Sequence, residues 1–171
     1  MANIFDKWDN SIDVEGLAAD VREAEENGTG SYKEVEPGEY EVAIEKMEVK
    51  ESSKGTQMVS IWFKVVSDGE YKGSLIFMNQ VITQGFQIHI VNKLLRAMTE
   101  ECDSKFKNKV ETKLKKWFAK DSEDRFSYSK YNELLLDIHE QIADNFEYAL
   151  EYGKNKKGFN TFEITEVFVL E

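Results

Sequence analysis

The chain has 171 residues, of which 41% are hydrophobic and 12% aromatic, and its 33 Asp and Glu outnumber its 22 Lys and Arg. This length predicts one domain with its own core, since domains usually hold about 100–200 residues. The net charge of −11 excludes a uniformly basic nucleic-acid binder of the histone or repressor kind, and the hydrophobic content argues against disorder of the whole chain.

The cellular compartment is indicated by the cysteine content and by two missing signals. A single cysteine, Cys102, excludes an internal disulfide framework and a cysteine-based zinc site, which favours a reducing compartment. The first residues carry neither the basic nor the apolar stretch of a signal peptide. No apolar run approaches the ~18 residues that a membrane helix needs. We therefore expect a soluble cytoplasmic protein without a membrane partner.

The acidic residues are concentrated in two segments. Residues 1–41 hold 12 acidic and 3 basic residues, and residues 121–152 hold 9 and 2, whereas residues 42–120 are mildly basic. In the first segment, apolar residues at helical spacing predict a short helix near 14–26, followed by a linker. We interpret residues 1–36 as an acidic arm that covers a binding site or recruits partners, or that is simply a solvated leader with one packed helix.

Three β-strands are predicted at the start of the domain, which we place at 37–171. Tyr40, Val42 and Ile44 alternate with polar residues, and the stretches Met58–Val66 and Ser74–Ile82 are rich in β-branched and aromatic residues. Short polar turns separate the three stretches. The pattern predicts an antiparallel meander.

The apolar spacing then changes to that of helices. Helical stripes predict a helical insertion over about 86–152, including a Lys-rich helix at 105–120 and a last helix with Phe146 on its apolar face. Alternation returns at the end and predicts a closing strand over about 161–169. The predicted class is α+β with a mainly β core, and the element order fits a partly open five-stranded antiparallel barrel of the oligonucleotide-binding type with added helices.

Catalytic and metal-binding patterns are missing from the sequence. No phosphate-binding glycine loop occurs, and His89 and His139 stand beside apolar helical positions, where a histidine more often packs than ligates. Cys102 has acidic neighbours that would raise its pKa. A row of acidic residues at helical spacing is typical of a solvated face: Glu133, Asp137, Glu140 and Asp144. We expect no enzyme activity, no catalytic residue, no metal and no cofactor.

Lysines and aromatic residues interleave along the predicted strands and turns. Single-stranded nucleic acid is bound by cations that follow the phosphates and by rings on which bases stack. Trp62 and Lys64 are two residues apart and therefore point to one sheet face. The candidate DNA-binding residues are Lys54, Trp62, Lys64, Tyr71, Lys72, Phe77, Lys154, Lys156, Lys157 and Phe159. The alternative is that Trp62 and Phe77 belong to the core, and that the Lys-rich helix is a solvated face over a buried stripe.

Several motifs carry a resemblance to known phage proteins. The stretches Pro37–Tyr40, Ser52–Met58 and Tyr71–Gly73 resemble phage single-stranded DNA-binding proteins. The stretches Phe77–His89, Tyr148–Gly153 and Lys157–Ile164 are similar to a family from phages and prophages of Gram-positive bacteria. That family is catalogued as a domain of unknown function and is encoded among replication and recombination genes. The likeness covers residues 1–98 and 128–169 and is poor over 99–127.

The resemblance implies a non-enzymatic oligonucleotide-binding barrel that coats single-stranded DNA during phage replication or recombination, in the cytoplasm of a bacterial host. The acidic arm is then the candidate surface for recruiting phage or host replication and recombination proteins, and an exposed sheet edge is a candidate for homodimer formation. A rival interpretation is an interaction module that recruits or inhibits a replication protein and does not touch DNA.

Overall fold

The structure, a computed structural model, describes residues 34–170. Most of the acidic arm predicted over 1–36, including its helix near 14–26, lies outside the described residues. The elements are β1 (Gly38–Glu51), β2 (Gln57–Val65), β3 (Leu75–Val81), α1 (Gly85–Met98), α2 (Ser104–Trp117), α3 (Tyr128–Ile142), β4 (Phe146–Lys154) and β5 (Asn160–Val169).

The strands form one antiparallel sheet in the order β3-β2-β1-β4-β5. The α+β class with a mainly β core and the meander of the first three strands are therefore confirmed. The described strands do not close into a barrel. In residues 34–170, β3 and β5 are the two edges of the sheet and do not pair with each other, so the sheet is open.

The predicted helical insertion over 86–152 is wrong at its C-terminal end, where residues 146–152 belong to β4. Phe146 stands four residues after Ile142, which continues the spacing of a helical stripe, but α3 ends at Ile142. The residues that follow alternate instead: Tyr148 and Leu150 are fully buried, and Glu151 is exposed. This period of two is that of a half-buried strand.

The hydrophobic core lies between the inner face of the sheet and the three helices. Alternate residues of β2 point inward and are almost fully buried, as are apolar stripes on α1 and α3. The principal core residues are Val59, Ile61, Phe63, Val65, Val91, Leu95, Met98, Tyr131, Leu134, Leu135 and Ile138. Burial of each such side chain contributes about 1.5–3 kcal/mol to the free energy of unfolding. The inner face of the sheet therefore stabilises the fold.

The sheet is strongly curled, because one ring of β5 reaches across its interior. Phe162 lies between Phe63 of β2 and Tyr152 of β4, with ring-centroid distances of 5.8 and 5.4 Å and interplanar angles of 17° and 14°. In strand order, β1 and β4 separate β5 from β2. The stack therefore brings the two edges of the sheet towards each other.

Helix α3 takes the place of a strand along the second half of β1. Only residues Gly38–Val42 of β1 pair with β4. Farther along, the Val49 N–H donates to Asn132 Oδ1 at 2.9 Å, and His139 Nε2 lies 3.0 Å from the Ile44 carbonyl oxygen. These two side chains satisfy backbone groups that would otherwise lack partners on this side of the strand. His139 is a packing residue, as its apolar neighbours predict.

The substitution Asn132→Ala tests this attachment. It leaves the Val49 N–H without its acceptor, and we expect a loss of about 1–3 kcal/mol in the free energy of unfolding. Urea unfolding followed by circular dichroism measures this loss. The control is Asn108→Ala at an exposed position of α2, where the change should stay within about 0.5 kcal/mol. Equal stability of the two variants would contradict the assigned role of Asn132.

Candidate nucleic-acid interface

The outer face of β1, β2 and β3 carries a row of one cation and two rings. The strand register places Trp62 between Lys46 of β1 and Phe77 of β3. The Trp62 and Phe77 rings meet edge to face at 5.4 Å, and Lys46 Nζ lies 4.7 Å from the centroid of the Trp62 ring. Both rings are half-buried. We call Lys46, Trp62 and Phe77 the aromatic row.

Polar and basic residues lie on either side of the aromatic row. One neighbouring row joins Lys64 to Leu75, and the other joins Ser60 to Glu48 and Asn79. Lys64 and Asn79 are exposed. The row beyond Ser60 contributes Lys50 of β1. Lys64 thus shares the face of Trp62, as their spacing predicts, and cations and half-buried rings occur together on this outer face. Ser60, on the same face, is almost fully buried.

The turn between β4 and β5 presents a third ring on a rigid backbone. Asn155 Oδ1 accepts hydrogen bonds from the Lys157 N–H at 2.9 Å and from the Phe159 N–H at 3.1 Å. Gly158 has φ +85°, a conformation that favours glycine. Phe159 is 67% exposed, and Lys154 and Lys156 are exposed as well. The four candidate residues of this turn therefore form one basic, aromatic surface.

A cleft of about 260 Å³ lies where the two edges of the sheet approach each other. Its lining includes Phe77 at the edge of β3, Asn160 at the base of the β4–β5 turn, and Val35, which is buried. Phe77 therefore borders both the aromatic row and the cleft. The cleft connects the outer face of the sheet with the β4–β5 turn.

Three candidate residues lie apart from the aromatic row. Tyr71 belongs to the loop between β2 and β3, where its ring packs edge to face on Tyr40 at 5.9 Å and is half-buried. Lys72, in the same loop, forms an ion pair with Asp68 at 2.9 Å. Lys54 is exposed in the β1–β2 turn. Of the candidate aromatic residues on the strands and the β2–β3 loop, Trp62 and Phe77 are together and Tyr71 is separate.

Lys46 is the residue of this surface that sequence reasoning missed. The alternation of Tyr40, Val42 and Ile44 places Lys46 on the inner face if it continues unbroken. A β-bulge between Ile44 and Lys46 reverses the alternation, so that Met47 points inward and Lys46 outward. The signal was present in the sequence, because the apolar residues shift from even to odd positions between Ile44 and Met47.

The structure locates the histidines and the cysteine that the sequence analysis considered. Among residues 34–170, no group of three His, Cys, Asp or Glu could hold a metal ion. His89 is exposed on α1 rather than packed. Cys102 is buried; this burial, and to a smaller extent Asp103, raises the pKa of its thiol to about 11. The acidic neighbours act in the predicted direction, but burial is the larger cause.

None of the helices in the described part of the chain has the length and apolar character that crossing a bilayer requires.

A comparison with known protein families matches the part of the chain that carries the aromatic row. A family model described as "Protein of unknown function (DUF669)" matches residues 19–121, more than half of the chain. The chain belongs to this family. The matched region runs through α2, so the Lys-rich helix is part of the family match, and the prediction of a poor resemblance over 99–127 is wrong at least as far as residue 121. The resemblance predicted over 128–169 lies outside the matched residues. No curated protein matches the chain significantly.

The rate at which Cys102 reacts with a thiol reagent tests the burial and the raised pKa of its thiol group. Raising the thiol pKa from 9.0 to about 11 leaves about 100-fold less thiolate at pH 8. We expect the folded protein to react with a disulfide reagent such as DTNB at least that much more slowly than the guanidinium-unfolded chain. The raised pKa of the thiol also contributes to the free energy of unfolding. This contribution is fully present below pH 9 and is lost as the pH rises through about 11. Equal reaction rates of folded and unfolded protein would contradict the burial of this thiol.

Proposed function

We propose that the protein binds single-stranded DNA without base-sequence preference and acts, without enzymatic activity, in phage DNA replication or recombination. The observation that carries this proposal is the aromatic row. Base stacking on exposed aromatic rings contributes about 1–3 kcal/mol per base, and phosphates require nearby cations. Trp62 and Phe77 supply adjacent rings, and Lys46 and Lys64 supply cations on the same face.

The strand order supports an oligonucleotide-binding type of fold, although the sheet is open. In such folds a meander of three strands is followed by a helix and two more strands, and ligands bind on strands 2 and 3 and on the loops between strands 1 and 2 and strands 4 and 5. Here β2 and β3 carry the two rings. The corresponding loops carry Lys54, and Lys156 with Phe159. These candidate residues therefore lie where such folds bind their ligands, whereas Tyr71 and Lys72 of the β2–β3 loop do not.

Binding would rearrange the contacts of Lys46. Its ammonium group covers the Trp62 ring at 4.7 Å and forms an ion pair with Glu48 at 3.4 Å. An incoming base would displace the ammonium group from the ring face, and the long side chain would then reach a phosphate. The ion pair is exposed and contributes little, about 0–1 kcal/mol, so this displacement costs little.

A second candidate function, an interaction module that does not bind DNA, is favoured by the surface of α3. This helix presents Glu133, Asp137 and Glu140 beside Leu136, which is 48% exposed, and Asp144 lies in the turn that follows the helix. An apolar side chain within an acidic face is suited to a basic protein partner. On the first proposal, this surface or the acidic arm would recruit phage or host replication proteins.

The variant Trp62→Leu separates the two functions. Leucine keeps an apolar side chain at this position but cannot stack on a base. We expect the affinity for oligo-dT to fall about 5- to 150-fold, which corresponds to the loss of about 1–3 kcal/mol of stacking. Fluorescence anisotropy of labelled oligo-dT measures the affinity, and the melting temperature shows whether the variant folds.

The matched control is Phe86→Leu, because Phe86 is 63% exposed on α1 and lies outside the sheet. This variant should bind oligo-dT as the unmodified protein does. If the unmodified protein shows no binding to oligo-dT even at low salt, the DNA-binding function is wrong. Binding that both variants weaken equally would contradict the assignment of the site to the aromatic row.

A further inference from the structure

Helix α2 carries a concentration of positive charge that the proposed interface does not use. Its 14 residues contain six lysines and one glutamate, a net charge of +5 in a chain of net charge −11. Three apolar residues, Val110, Leu114 and Trp117, hold the helix against the core. The helix therefore has a fixed inner side, and its other sides face solvent.

Four of the six lysines lie on one side of the helix. With 3.6 residues per turn, Lys105, Lys109, Lys113 and Lys116 fall within an arc of about 80° and span about 16 Å along the axis. We call these four residues the lysine stripe. Lys107 and Lys115 lie outside this arc.

The lysine stripe is also where the positive charge is least compensated. In the described part of the chain, Lys105, Lys109 and Lys113 have no ion-pair partner, and Lys116 lies 3.8 Å from Asp124. The two lysines outside the stripe are each paired. Lys107 contacts Glu100 at 3.1 Å, and Lys115 contacts Glu111 at 3.9 Å. The positive electrostatic field around α2 thus comes mainly from the lysine stripe.

We infer that the lysine stripe is a second contact for the phosphate backbone of single-stranded nucleic acid, outside the aromatic row. This inference rests on the proposed function. Lysines four residues apart are separated by about 6 Å along the helix, a spacing comparable with that of successive phosphates in an extended single strand. The stripe therefore matches a linear repeat of negative charge.

The side chains bordering the stripe favour nucleic acid over an acidic protein as its partner. Asn108 and Thr112 stand beside the lysines and are exposed. Amide and hydroxyl groups are common phosphate ligands. A peptide helix bound in a groove usually needs apolar anchors, and the side chains of the stripe and of this border are all polar. Phe106, on the opposite border, is partly buried and packs against the core.

The test compares two double variants of the same helix with the same change of charge. Lys105→Gln with Lys109→Gln removes two stripe lysines, and Lys107→Gln with Lys115→Gln is the matched control. Binding to oligo-dT of about 8 and about 40 nucleotides is measured with oligonucleotide in excess over a range of salt. One oligonucleotide-binding domain covers about 4–16 nucleotides. Circular dichroism checks that both variants fold.

We expect the stripe variant to lose affinity for the 40-mer, with the slope of log affinity against log salt reduced by about 1.4, or about 0.7 for each lysine. Its binding to the 8-mer, and the binding of the control variant to both lengths, should match that of the unmodified protein. An equal response of the two variants overturns the inference and leaves the proposed function intact. No binding of the unmodified protein at either length overturns the proposed function itself.

The rival partner, an acidic peptide, is tested with the same variants. A synthetic peptide of residues 1–33, which hold 8 acidic and 3 basic residues, is titrated against each protein. If the stripe variant loses this peptide but keeps its binding to the 40-mer, the stripe belongs to an acidic segment and the inference is wrong. If the stripe variant loses only its binding to the 40-mer, the result supports the inference.

Discussion

The stacking of Phe162 between Phe63 and Tyr152 is the contact on which the geometry of the outer surface depends. It joins an edge strand to a strand three places away and so holds the sheet in a curl. The curl brings the β4–β5 turn towards the edge of β3, where Phe77 borders the cleft. Without it, the aromatic row and the basic turn would lie at distant places on a flatter sheet.

The inner and outer faces of the sheet differ in composition and burial. The inner face is filled by the apolar side chains of the strands and helices. On the outer face of β1–β3, half-buried rings lie beside lysines. Charge is unevenly distributed over the surface: acidic residues cluster on α3, whereas cations lie on the outer face and on α2.

Local patterns predicted much of this structure. Alternation correctly placed the first three strands and the closing strand, and a spacing of two correctly placed Trp62 and Lys64 on one face. The failures have physical causes that lie beyond local pattern. The bulge before Lys46 reversed the alternation, Phe146 continued the helical spacing of Ile142 by coincidence, and Tyr71 is held by Tyr40, 31 positions earlier in the chain. Whether the edge strands β3 and β5 pair depends on how strongly the sheet curls. The curl depends on contacts between segments that are distant in the chain, such as that of Phe63 with Phe162.

Amide chemical-shift mapping with oligo-dT tests the central claim most directly, because it locates the bound strand without altering the protein. The account predicts the largest shift changes in β2 and β3 around Trp62 and Phe77, with further changes in the β4–β5 turn near Phe159. Changes confined to the acidic face of α3, or no changes at all at low salt, would contradict it.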